Sequence, residues 1–264
     1  MKFHGLISCA ALAATLATTP AAAVTREEAA IQSAMIVLRE VQSMPDLQIP
    51  DQLLARAEGI VILPANVKIA LIGGARFGEG IMLVRTENRA WSNPVFVRAG
   101  GGSVGFQWGG QVADIVLVLT TRRSIEGITD GKLTLGADAS AAAGPVGRTA
   151  MASTSLTFDS EVYAYSRTRG LFAGVSLEGT GIFINRKANR RFYDGESSAT
   201  RILSATGTPP PPADELVNEV TRLTTSSAQS VASGAAEQRD PPAERPVEPR
   251  TYPMPDAQPG AEPR

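Results

Sequence analysis

The chain reads as an α+β protein, a mainly antiparallel, barrel-like sheet with short flanking helices. Three observations predict this. Short apolar runs such as Gly59-Ile60-Val61-Ile62-Leu63-Pro64 recur with glycine or proline between them, the pattern of many short strands. Six of the thirteen residues from Ala99 to Gln111 are glycine, yet β-prone segments lie on either side, so this run belongs inside a sheet with bulges or tight bends. Helical periodicity is confined to the ends of the folded region.

The N-terminus carries the pattern of an export signal. Lys2 supplies the charge, Leu6 to Ala17 the apolar stretch and Ala21-Ala22-Ala23 the cleavage site, which predicts removal of residues 1–23. The stretch is too short for a membrane span of about 20 residues. It holds the only histidine, His4, and the only cysteine, Cys9. A mature chain would therefore have no disulfide, no thiol nucleophile and no histidine for acid–base or zinc chemistry.

Thr25-Arg26-Glu27-Glu28 forms a capping box. Behind it Ile31, Met35, Leu38 and Val41 lie at helical spacing. Two readings of this stripe stand, a core-packing helix and a membrane-surface helix. Pro50-Asp51 opens a second helix, stopped by Gly59. Strands are expected over 59–64, 67–72, 80–85, 96–110 and 112–119, with Gly73–Glu79 as a turn-rich connection. A short helix or turn follows at 122–127, then strands at 132–136, 161–166, 171–177 and 181–185. The small residues of 137–148 suit close packing. Residues 185–193 form a basic helical turn, and a last helix spans 196–204. From Gly207 the Pro-rich composition predicts a disordered tail over 207–264, with one or two isolated helical turns at 214–223. The domains are thus 1–23 signal, 24–206 folded domain and 207–264 tail.

Charge excludes little. There are 25 basic and 26 acidic residues, and 24–206 holds 19 against 17, too mild a balance to indicate nucleic acid. Gly100-x-Gly102-x-x-Gly105 matches a dinucleotide fingerprint, but Phe106-Gln107-Trp108-Gly109-Gly110 is a poor helix start. No phosphate-binding P-loop and no G-x-S-x-G elbow occurs. Asp114, Asp138, Glu79 and Glu178 have no spacing that singles out a catalytic pair, and Asp138 reads as a turn anchor.

Longer motifs run in order: LLARAEGIVILP from Leu53, IGGARFGEGIMLVR from Ile72, WSNPVFVRAGGGSVGFQWGGQVADIVLVL from Trp91, LTLGADASAAAGPVGR from Leu133 and YAYSRTRGLFAGVSLEGTGI from Tyr163. With them the chain resembles the SYLF domain family, lipid-binding domains also found in yeast actin-patch proteins, here as an exported, bacterial-type member. The resemblance implies binding of phosphoinositides or other anionic phospholipids, and in eukaryotic relatives actin association. An exported chain has no access to actin in the cell that makes it. Where those relatives carry a Src-homology-3 module, this sequence has the proline-rich stretch.

Lipid head groups require cations or clustered backbone amides. Arg76, among Gly73, Gly74 and Gly78, is one candidate, with a salt bridge to Glu79 as its bland alternative. Arg186, Lys187, Arg190 and Arg191 form the densest basic cluster, and Arg167 and Arg169 flank a turn. Phe106 and Trp108 are core residues or bilayer wedges. The expectation is a non-enzymatic lipid-binding domain without cofactor or metal, periplasmic or secreted and peripheral to a membrane. A cell-envelope structural or protein-interaction module is the alternative, and a small hydrolase a third reading.

Overall fold

The computed structural model describes residues 24–45, 48–70, 73–104, 109–145, 158–169, 177 and 179–237. The predicted signal, Phe106, Trp108, most of the strand expected at 171–177 and the chain after Glu237 lie outside them.

The apolar run after Gly59 forms β1 (Gly59–Ala70). Both of its faces are buried: Ile60 and Ile62 enter one core, Val61 and Leu63 the other. A strand covered on both sides loses polar alternation, which is why the run is continuous. β1 pairs antiparallel with β2 (Gly73–Val84) and with β4 (Gly109–Leu119), and β3 (Val95–Val104) pairs with β2. With β5 (Leu133–Thr134), β6 (Ala141–Ala143), β7 (Val162–Arg169) and β8 (Gly181–Ile184), the sheet order is β5-β8-β3-β2-β1-β4-β7-β6. Only the β6–β7 pairing is parallel among the described strands. The α+β, mainly antiparallel expectation holds.

Gly109 and Gly110, expected at the end of the strand over 96–110, open β4 instead, and two further strand limits move. The segments expected at 59–64 and 67–72 are one strand with a register break between Ile62 and Val67. There Ala65 takes a left-handed φ of 48° and the β1 backbone closes on β2. A Cβ at Gly80 would stand 2.1 Å from the Ile62 carbonyl oxygen, so only glycine fits. Gly73–Glu79 is not a connection but the first half of β2. Gly74 is laddered to both β1 and β3, and Gly73 and Gly78 pair with Val104 and Ala99 of β3.

α1 (Arg26–Ser43) lies across one face. Its capping box is formed as expected: Thr25 Oγ1 accepts from Glu28 N at 3.2 Å, and Thr25 N donates to Glu28 Oε2 at 2.7 Å. α2 (Asp51–Arg56) and α6 (Ala213–Glu237) pack on the same side. The other face is covered by α3 (Arg122–Asp130) and α5 (Ala199–Ser204) through Ile125, Ile128, Ile202 and Leu203. α4 (Arg186–Phe192) sits beside β3. Asp138 Oδ2 accepts from Thr134 N at 2.7 Å, the turn anchor expected of it, and that bond holds its carboxyl below the usual range.

The largest departure from expectation lies after Gly207, where the boundary of the folded domain moves past residue 206. α6 is folded onto the core, with Ala213, Leu216 and Val220 fully buried. Further along, the same stripe is polar but satisfied. Thr224 Oγ1 accepts from Trp91 Nε1 at 3.0 Å, and Ser227 Oγ donates to Asp51 Oδ1 at 2.7 Å. Glu219 accepts from Arg222 at 2.9 Å and from Arg39 of α1 at 3.3 Å, which keeps its carboxyl below the ordinary glutamate value, Arg222 contributing most. A depressed carboxyl stabilises the fold above its unfolded-state pKa and ceases to as pH falls through the folded-state value. Acid titration of stability is therefore expected to show a loss below the ordinary glutamate range that shrinks in Glu219→Gln, measured by urea melts at stepped pH.

Candidate lipid-facing site

Local chemistry fixes α4. Asn185 caps it, its Oδ1 accepting from Ala188 N at 3.2 Å, while its own backbone N–H donates to Phe96 O at 2.8 Å. Fully buried Asn189 accepts from Phe96 N at 2.8 Å, which ties the inner face of α4 to β3. The outward residues are the basic ones. Arg186, Lys187 and Arg190 are exposed and make no ion pair with any described residue. Arg191 differs from them. Its Nε donates to Glu27 Oε1 of α1 at 2.8 Å and its Nη2 reaches the same oxygen. That hydrogen bond raises the guanidinium pKa further. The basic cluster is thus three available cations and one that docks α4 to the start of α1.

The other expected site residues do not join it. Arg167 is placed elsewhere, and its role is corrected to a structural one. It reaches Asp114 at 2.7 Å and Glu40 of α1 at 2.6 Å, with side-chain exposures of 17% for Arg167 and 5% for Asp114. These carboxylates raise its pKa, the Asp114 hydrogen bond foremost. Asp114 also accepts from Ala65 N at 2.9 Å, so the group pins α1, β4, β7 and the β1 irregularity together. Arg76 and Arg169 have their backbones in β2 and β7, opposite Lys68 and Val112, and their side chains lie outside the described residues. Glu79, named as a partner for Arg76, is bonded to Arg26 at 2.6 Å. Ile31, Met35, Leu38 and Val41 are buried in the core. The membrane-surface reading of that stripe gives way to core packing, because the sheet and α6 already occupy it.

Beside the start of α1 lies an open groove of about 550 Å3, bounded by Arg26, Ala30, Pro64, Phe77, Glu79 and Arg98. Phe77 is 62% exposed. Glu79 and Arg98 are cross-strand neighbours, and Arg98 is exposed with no ion pair among the described residues. Sequence reading passed over these residues because Phe77 lay in the supposed turn. The available signal was the alternation Phe77, Glu79, Ile81, which is one face of a strand. Arg26 connects groove and basic helix, since its neighbour Glu27 holds Arg191. No described helix is long and apolar enough to cross a membrane, and no metal-binding cluster occurs among the described residues.

Residues 100–223 match the family model Ysc84, described as Las17-binding protein actin regulator, and the match runs into α6. LAS seventeen-binding protein 3 of Saccharomyces cerevisiae is 37% identical over 174 residues, 65% of this chain and 38% of that protein. SH3 domain-containing YSC84-like protein 1 of Bos taurus is 38% identical over 173 residues, 65% of this chain and 50% of that protein. Its namesake in Rattus norvegicus is 35% identical over 223 residues, 81% of this chain and 64% of that protein. The chain spans less than two thirds of the length of each. With its motifs in order and these matches together, the chain belongs to the Ysc84 (SYLF) family.

Proposed function

We propose that this chain is a non-enzymatic module that binds anionic phospholipid at a membrane surface. The observation that carries the reading is the outer face of α4, where Arg186, Lys187 and Arg190 stand exposed and make no ion pair with any described residue. Cations held near an anionic surface contribute about 1 kcal/mol each. Reversing all three in Arg186→Glu/Lys187→Glu/Arg190→Glu is expected to weaken binding to anionic vesicles by about 100-fold or more. Co-sedimentation of the full chain with anionic and neutral vesicles, at low and high salt, measures it. Binding that is indifferent to vesicle charge, or unchanged in the triple variant, would sink the assignment. Arg191 is left intact because its partner is Glu27.

A second reading is favoured by the description of the family model, Las17-binding protein actin regulator, and by the yeast relative named for LAS seventeen binding. In this chain it becomes a protein-interaction module, and it predicts partner capture that survives the triple reversal. The proposal extends to export, with cleavage after Ala23 and a periplasmic or secreted destination. N-terminal sequencing of the mature protein tests it, and an intact Met1 would overturn it.

A further inference from the structure

We infer that the groove beside α1 holds one acyl chain of an anionic lipid, with Phe77 as its wall and Arg98 at its head-group end. The inference rests on the surface-lipid reading and specifies how a single lipid is held. Ala30, Pro64, Ala65 and the Phe77 ring give the groove an apolar lining, and about 550 Å3 is within the usual range for small-ligand sites. A phenyl ring 62% exposed at the mouth of an apolar groove is surface that gains from a hydrocarbon occupant.

The polar residues are arranged for an anionic amphiphile. Arg26 is neutralised by Glu79 at 2.6 Å, whereas Arg98, facing Glu79 across the β2–β3 ladder, has no ion pair among the described residues. One net positive charge therefore remains beside the groove. A free phosphate would find no use for the apolar lining. An extended peptide added to the sheet would need an unpaired strand edge, and β2 is laddered on both sides here, to β1 through Phe77–Val67 and to β3 through Phe77–Gly100. A hydrocarbon chain needs neither donors nor an edge. The groove also adjoins the basic helix, because Arg26 lines it while Glu27, the next residue, holds Arg191. A lipid seated there lies beside the α4 cations.

The test uses the full chain and cis-parinaric acid, a fluorescent polyunsaturated fatty acid, below its micelle concentration. Saturable one-site binding is expected, and Phe77→Asp should weaken it by about tenfold or more. Arg98→Glu should weaken binding of the acid while leaving binding of a neutral long-chain alcohol, measured by displacement, unchanged. Affinity among saturated competitor acids should rise by up to about fourfold per added methylene, as burial of each CH2 requires. Phe77 is exposed, so Phe77→Asp should melt with the parent protein, and Arg98→Glu provides an independent arm. Parinarate binding unaffected by Phe77→Asp, or no saturable binding, overturns the groove assignment. Vesicle binding without parinarate binding does so too, while leaving the α4 surface reading intact. Parinarate binding that persists in a protein with no affinity for anionic vesicles overturns the surface reading instead.

Discussion

Ending the chain at Thr206 is expected to lower its melting temperature by about 8–16 °C relative to a chain ending at Glu237. The cut removes α6, whose Ala213, Leu216 and Val220 are fully buried against α1, α2 and the sheet. Full burial of a leucine or valine contributes about 1.5–3 kcal/mol. Two such residues with the alanine amount to about 4 kcal/mol, and a domain of this size loses about 2–4 °C per kcal/mol. The cut also takes Thr224 from the buried Trp91 indole N–H and Ser227 from the half-buried Asp51 carboxylate, so both groups lose a partner. Differential scanning fluorimetry of the two chains measures the effect. Equal melting temperatures would mean that α6 adds nothing to the core. Vesicle assays on a chain cut at residue 206 would accordingly report on a destabilised domain.

Arg167→Met is expected to cost about 1–3 kcal/mol, the range for taking a charged hydrogen-bond partner from a buried carboxylate. The methionine fills similar space but leaves Asp114 and Glu40 facing each other without the guanidinium between them. Asp114→Asn in the same background should restore part of the loss, because an amide still accepts from Ala65 N and carries no charge. Urea denaturation of the single and double variants measures both effects. A loss below about 1 kcal/mol would show Arg167 to be a solvated surface cation. Because its partner Glu40 belongs to α1, the variant should also loosen that helix, raising amide exchange near residue 40 before residue 28.

What the sequence disclosed follows the range of the interactions involved. The Thr25–Glu28 capping box and the Asp138 turn are each complete within a few residues, and each was readable. Continuous runs such as Ile60–Leu63 revealed strands because both faces are covered. The irregularity at Ala65 was not readable, since it depends on Gly80 in the next strand and on Asp114 in β4. α6 was legible only as one or two isolated turns at 214–223, for a compositional reason: Thr224 and Ser227 occupy buried positions, so its stripe looks polar until Trp91 and Asp51 are seen to satisfy it. At the site, the 186–191 cluster is contiguous and therefore visible. What separates Arg191 from its neighbours is Glu27, at the far end of the chain, and nothing local marks it. The groove is assembled from α1, β1, β2 and β3, with no continuous motif to announce it.

The pairing of β1 governs how the chain reaches this state. One of its ladders closes early, with β2 through a hairpin, but the other joins Gly59 to Leu119 and awaits all of β2 and β3. Closure at α6 comes later still, when Arg39 meets Glu219. Chains dominated by such distant pairings fold in milliseconds to seconds rather than microseconds. Until β4 arrives, one edge of β1 presents the unpaired strand Ile60–Leu63, a template for pairing with another molecule. Refolding yield should therefore fall as protein concentration rises, with intermolecular β-pairing competing against the arrival of β4.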